Sequence, residues 1–172
     1  MPKVAIIAVM SVNGVLSRKK EHSVDWSSSE DKGFFKQITL KMGVVIMGRK
    51  TFETLNYTPL PGRLNVVMSR KPWLYEKISS ENLIITDMNP ETLIDHIHKL
   101  GYDNIAVIGG PQIYSLFLEK GLVTDIFLTI EPLFLSGEVH FQFSKRDLSL
   151  KLSEIKKLSS NTILLHYTLE NS

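Results

Sequence analysis

Short runs of consecutive apolar residues alternate along this chain with longer stretches in which apolar residues recur every three or four positions. The first kind reads as buried strand and the second as amphipathic helix. The pattern predicts strands at Val4 to Met10, Gly43 to Met47, Leu64 to Met68, Leu83 to Thr86, Ile105 to Ile108 and Val123 to Ile130. It predicts helices at Ser27 to Lys41, opened by serines, Thr51 to Leu55, Pro90 to Leu100 and Pro111 to Lys120. Gly101 and Gly121 close the last two, and a proline starts each. A loop is expected around Lys71-Pro72-Trp73. After Ile130 the pattern changes: Leu148 to Leu158 and Thr162 to Leu169 flank Ser159-Ser160-Asn161, as in an antiparallel hairpin.

Strand–helix alternation argues for a three-layer α/β fold. The expectation is a central, mainly parallel sheet of about eight strands, a C-terminal antiparallel hairpin and about four flanking helices. At 172 residues one domain is expected, spanning 1–172, without repeats or a clear linker. Hydrophobic residues at 43% supply a core, and a net charge of +2 is too small to point to nucleic acid or an anionic membrane. The absence of cysteine excludes disulfides and thiolate chemistry and fits a reducing compartment. The first apolar run lacks a signal peptide's basic region and cleavage site, so cytoplasmic residence is the expectation. The apolar run Ile130 to Leu135, with Phe141 and Phe143, would either seal a homodimer or cap a monomer's core.

Candidate chemistry begins at Trp26 to Phe35, where Asp31 stands at the start of a helix carrying Phe34, Phe35 and Ile38. A carboxylate facing an apolar wall is costly without a use. The structural alternative is capping. Ser27 and Glu30 have capping-box spacing, and so do Ser28 and Asp31. With Ser27 as the cap, Asp31 falls in the second turn, on one face with Phe35.

Gly48-Arg49-Lys50-Thr51 and Ile108-Gly109-Gly110-Pro111 each run from a strand into a helix N-terminus, which suits phosphate groups. Each also reads as an ordinary tight turn. Neither has the spacing of a dinucleotide fingerprint or a Walker loop. Arg63, at the end of Pro59-Leu60-Pro61-Gly62, is either solvated or a carboxylate partner. Arg70 and Lys71 form a basic loop. His96 and His98 are two apart on a helix, His22, His140 and His166 are isolated, and no metal site is expected. No nucleophile elbow is present. Ser17 to Ser23 is polar and is expected to be a mobile loop beside Asp31.

In order, these blocks resemble the dihydrofolate reductase family along almost the full chain. The carrying residues are Trp26 with Asp31-x-x-x-Phe35-Lys36, Val45 to Glu53, Pro59 to Val67, Val107 to Gly110, Tyr114 and Leu128-Thr129. The resemblance implies an NADPH-dependent reductase acting on dihydrofolate. Asp31 would hydrogen-bond the pterin's amidine edge and Thr129 would stand behind it. Ile7, Ala8, Phe35 and Ile108 would border the pterin, and Arg63 would bind the glutamate tail. Gly48, Arg49, Lys50, Thr51, Ser69, Arg70, Gly109, Gly110 and Tyr114 would hold the cofactor, with Gly109 and Gly110 joined by a cis peptide and Arg70 at the 2′-phosphate. Asp31 would be the only carboxylate in the pocket, and the loop from Asn13 to Asp25 would close over the nicotinamide.

Three positions depart from the family pattern. Val24 replaces a frequent methionine, Ser17 to Ser23 is long and charged, and Pro111 replaces a third glycine. Met10 to Gly14, Trp26 to Asp31 and Glu131-Pro132 with Leu135-Ser136-Gly137 are also similar to the NADPH-dependent reductase of riboflavin biosynthesis, which acts on a ribosylamino-pyrimidine. Pro61-Gly62-Arg63 and Lys36-x-x-Thr39 favour folate. A non-catalytic pteridine- or nucleotide-binding protein is a third reading.

Overall fold

A computed structural model describes residues 1–17 and 25–170. The strands are β1 (Lys3–Ser11), β2 (Val44–Gly48), β3 (Leu64–Met68), β4 (Leu83–Thr86), β5 (Asn104–Gly109), β6 (Asp125–Glu131), β7 (Leu150–Lys157) and β8 (Ile163–Leu169). The helices are α1 (Ser29–Met42), α2 (Arg49–Thr54), α3 (Pro90–Lys99) and α4 (Pro111–Glu119), with a 3₁₀ turn at Pro72–Tyr75.

The strands form one sheet in the order β4-β3-β2-β5-β1-β6-β8-β7. All pairings from β4 to β6 are parallel, whereas β8 runs antiparallel to both β6 and β7. Alternating residues of the central strands feed two cores. Val4, Ile6, Val44, Ile46 and Val66 pack with Leu93 and Ile97 of α3 and Phe117 of α4. Ala5, Ile7, Val45, Met47 and Val67 pack on the other face with Phe35 and Ile38 of α1 and Phe52 of α2. Burial on both faces explains why these strands read as continuous apolar runs.

Several predicted boundaries shift for local reasons. Gly43 is the left-handed C-cap of α1 (φ 85°), its N–H bonded to the Thr39 carbonyl, so β2 starts one residue later. α2 starts at Arg49 rather than Thr51, from an extended Gly48. In the C-terminal hairpin β8, not β7, docks on β6. Leu164 of β8 is buried, while β7 is exposed throughout and carries Lys151, Glu154, Lys156 and Lys157, a composition that suits a sheet edge. Phe141 and Phe143 pack onto the core, whereas Phe134 is 82% exposed.

The expected mobile loop and lid fall largely on residues 18–24, Val24 included, which lie outside the described residues. The described part of that segment is tied down. Asn13 donates to the Leu135 carbonyl (2.9 Å), and the Leu16 N–H donates to the Val139 carbonyl (2.8 Å). Among the described residues no helix is long and apolar enough to cross a membrane.

Candidate active site

The parallel arrangement brings the carboxyl ends of β1, β2 and β5 together, which is where open α/β sheets form their crevices. A cavity of about 350 Å³ lies there, within the range of small-molecule sites. β1 contributes Ile7, Ala8 and Val9, α1 contributes Asp31, Lys32 and Phe35, and α2 contributes Thr51 and Thr54. Ile108, Gly109, Gly110, Pro111 and Tyr114 form the opposite wall. Leu16, Ser17, Asp25, Ser27, Leu55 and Leu60 complete the lining. Asp31 is therefore not the only carboxylate present, because exposed Asp25 joins it.

Asp31 is 7% exposed and sits in the first turn of α1, not the second. Ser28, not Ser27, is the cap: its hydroxyl accepts from the Asp31 N–H at 3.1 Å. Glu30 is exposed and accepts from the Ser29 hydroxyl (3.2 Å) rather than closing a box with Ser27. The Ser27 hydroxyl, freed from capping, donates to the Asp31 carboxylate, as does the Thr129 hydroxyl from β6. Burial pushes the Asp31 carboxyl above the usual carboxylate range, and Glu131 pushes the same way. The Thr129 and Ser27 hydrogen bonds and the charge of Lys32 oppose that shift without cancelling it.

The facing wall is backbone. Gly109 and Gly110 are joined by a cis peptide bond, as the resemblance implied. Gly109 has φ +127°, and a β-carbon there would lie 3.3 Å from the Tyr114 hydroxyl and 3.6 Å from Thr51 Oγ1. Tyr114 is buried and its hydroxyl donates to the Ile7 carbonyl at 2.8 Å, clipping α4 to β1 beneath the cavity. That burial raises its pKa far above the ordinary phenol value. The Ile7 carbonyl thus has a partner inside the protein.

The remaining expected residues stand outside the lining. Thr129 lies behind Asp31. Arg63 is buried beside α1, where it donates to Thr39 Oγ1 (2.9 Å) and to the Pro61 carbonyl (3.0 Å). Gly48 is closed off by Ile113, whose Cγ1 would lie 2.9 Å from a β-carbon. Arg49 pairs with Glu53 at 3.0 Å and bonds Tyr75. Lys50, Ser69 and exposed Arg70 do not line the cavity, and Ser69 accepts from the Lys71 N–H (3.2 Å).

Sequence reasoning assigned no role to two buried residues, Glu131 and Asn65. Glu131 holds Ser28 from across the sheet, with the Ser28 N–H on Oε2 (2.5 Å) and the Ser28 hydroxyl on Oε1 (3.1 Å). Asn65 ties the turn that carries Arg63, accepting from the Leu60 N–H (2.8 Å) and donating to the Leu60 and Arg63 carbonyls (2.9 Å each). Half-buried Trp26 has a buried indole N–H without an acceptor among the described residues. A polar residue inside an apolar strand was the available signal for Asn65, and Glu131, at the end of β6, carried none. Among the described residues no His, Cys, Asp and Glu cluster could hold a metal.

The family model for dihydrofolate reductase matches residues 3–162. The chain is 34% identical over 141 residues to a dihydrofolate reductase from Neisseria gonorrhoeae, covering 82% of this chain and 80% of that protein. It is also 34% identical over 121 residues to a bifunctional dihydrofolate reductase-thymidylate synthase from Paramecium tetraurelia, covering 70% of this chain but 23% of that longer protein. A pyrimidine reductase-like protein from Corynebacterium diphtheriae superposes with a TM-score of 0.80 at 19% identity, covering 99% of this chain and 93% of that one, and so shares the fold. The extent of the family match and the coverage of the Neisseria relative show that this chain belongs to the dihydrofolate reductase family.

Proposed function

We propose that the protein reduces dihydrofolate to tetrahydrofolate with NADPH. The observation that carries this reading is Asp31, a buried carboxylate braced from behind by Thr129 and Ser27 and set beside Phe35 in the cavity. A planar ring with an amidine edge suits such a site. Its N–H groups would replace the water that Asp31 has lost, and its face would lie on Phe35.

The residues on the opposite wall fit a nicotinamide dinucleotide. Gly109 and Gly110 present bare backbone to the cavity, and side-chain atoms already fill the space a β-carbon at Gly109 would need. Gly109, Gly110, Tyr114 and Thr51 would hold the nicotinamide and pyrophosphate end. Gly48, Arg49, Lys50, Ser69 and Arg70 would hold the phosphates towards the adenosine, and Arg70 would favour NADPH over NADH. When bound, the cofactor supplies the hydride that C6 of the substrate accepts.

N5 must gain one proton for each hydride. Asp31 orients and polarises the ring by accepting its amidine hydrogens, and the proton reaches N5 through water. Arg63, buried without a carboxylate partner among the described ion pairs, would take a carboxylate of the substrate's tail.

The test is loss of NADPH absorbance by the purified protein with dihydrofolate and, separately, with the ribosylamino-pyrimidine of riboflavin synthesis. Turnover of dihydrofolate that Asp31→Asn abolishes supports the reading. Turnover of the pyrimidine alone would replace the substrate and the role of Arg63. Tight NADPH binding without turnover of either would leave a binding protein.

A further inference from the structure

The N-terminus of α1 is capped by Ser28 together with a carboxylate from a distant strand, Glu131. In a closed capping box the cap hydroxyl takes the N–H three residues on, and that residue's carboxylate returns to the cap N–H. Ser28 makes the first bond with Asp31 at 3.1 Å. The return bond comes from Glu131, whose Oε2 accepts the Ser28 N–H at 2.5 Å and whose Oε1 accepts the Ser28 hydroxyl at 3.1 Å.

Glu131 ends β6, is 2% exposed and has no Lys or Arg in ion-pair distance among the described residues. It does not line the cavity, and the reaction proposed above does not use it. A buried, unpaired carboxylate is costly, and here the helix terminus and two hydrogen bonds offset that cost.

We propose that Glu131 is a positioning residue for Asp31: by occupying the Ser28 N–H, it stops the Asp31 carboxylate from folding back onto its own helix terminus and leaves it turned into the cavity. The proposal rests on the reading of Asp31 as the group that meets the substrate. The charged groups acting on Asp31 are Glu131 from β6 and Lys32 from its own helix, and Asp25 and Tyr114 of α4 line the same cavity. Glu131 favours the protonated carboxyl and Lys32 the ionised one.

Two variants separate position from charge. Glu131→Gln keeps a carbonyl acceptor for Ser28 and removes the charge. Glu131→Met fills the volume and removes the acceptor, so the Ser28 N–H becomes available to Asp31. The readout is the titration midpoint of the Asp31 carboxyl carbon by NMR in the ligand-free protein, together with KM values.

Glu131→Gln should lower the midpoint and leave the KM for dihydrofolate near that of the wild type. Glu131→Met should lower the midpoint further, because Asp31 then accepts a backbone N–H. It should also raise the KM for dihydrofolate about tenfold or more without changing that for NADPH. Equal midpoints in the two variants, with unchanged KM values, would overturn the proposal and leave Glu131 a structural cap. Should Glu131→Met fail to fold, Glu131→Leu, which also removes the acceptor, is read by the same two outcomes. The NMR midpoint needs no substrate, so it stands or falls separately from the assignment of dihydrofolate.

Discussion

The Arg63 guanidinium donates to the Thr39 hydroxyl at 2.9 Å, and that hydroxyl donates to the Phe35 carbonyl at 2.7 Å. The turn 59–63 and the helix carrying Phe35 and Asp31 are therefore joined by one hydrogen-bonded chain. Burial lowers the Arg63 pKa, and no carboxylate offsets that burial among the described ion pairs. A guanidinium held this way is oriented for an incoming anion before one arrives.

Arg63→Ala should raise the KM for dihydrofolate by about 10–100-fold, the scale of a charge-assisted hydrogen bond of ~1.5–3 kcal/mol. A pterin without a glutamate tail should be affected little. Equal increases for both substrates would show that Arg63 does not hold the tail.

Asp31→Asn should reduce kcat/KM for dihydrofolate at neutral pH by about 100-fold or more, since the ring loses its charged partner. The same change should stabilise the ligand-free protein. The folded-state pKa of Asp31 lies above 3.8, so the native state binds more protons than the unfolded chain, and stability is lost as pH rises from 3.8 through the folded value. At pH 7 the melting temperature of the variant should exceed that of the wild type by a few degrees, the response of a chain this long to ~1 kcal/mol. The gap should narrow as the pH falls towards 3.8. A variant less stable than the wild type at pH 7 contradicts the assigned burial cost.

Gly109→Ala places a β-carbon 3.3 Å from the Tyr114 hydroxyl at a residue with φ +127°. Strain of about 1–3 kcal/mol should lower the melting temperature. NADPH affinity measured by fluorescence titration should fall more than dihydrofolate affinity. Unchanged NADPH affinity would remove Gly109 from the cofactor wall.

Asn65→Ala should destabilise the protein by about 2–3 kcal/mol, because buried Asn65 loses three hydrogen bonds to the Arg63 turn. Thermal unfolding reads the stability loss. If Asn65 sets the geometry of Arg63, the variant should also lose part of the preference for dihydrofolate over a tail-less pterin. A full preference in the variant would confine Asn65 to a structural role.

The sequence by itself determined the strand–helix alternation, because strands buried on both faces must be continuously apolar and helices covering them must be amphipathic. It also determined the glycine pair at Gly109-Gly110 and the proline that starts α4, since both act through their own backbone. Those signals are local and survive without knowledge of neighbours. The capping of α1 was not legible in this way. Ser27 and Ser28 offered equivalent spacings, and the choice fell to Ser28 because its partner Glu131 arrives from 103 positions away.

That long-range bond decided how the site is built. It supplies the carboxylate of the Ser28 cap from β6, and Ser27 and Thr129 are left to brace Asp31, whose proton affinity is raised first by burial and further by Glu131. The order β6-β8-β7 and the burial of Arg63 against Thr39 were likewise decided by packing between distant segments. Local propensity fixes which segments form; desolvation and charge proximity, which set what Asp31 can do, exist only once those segments are assembled.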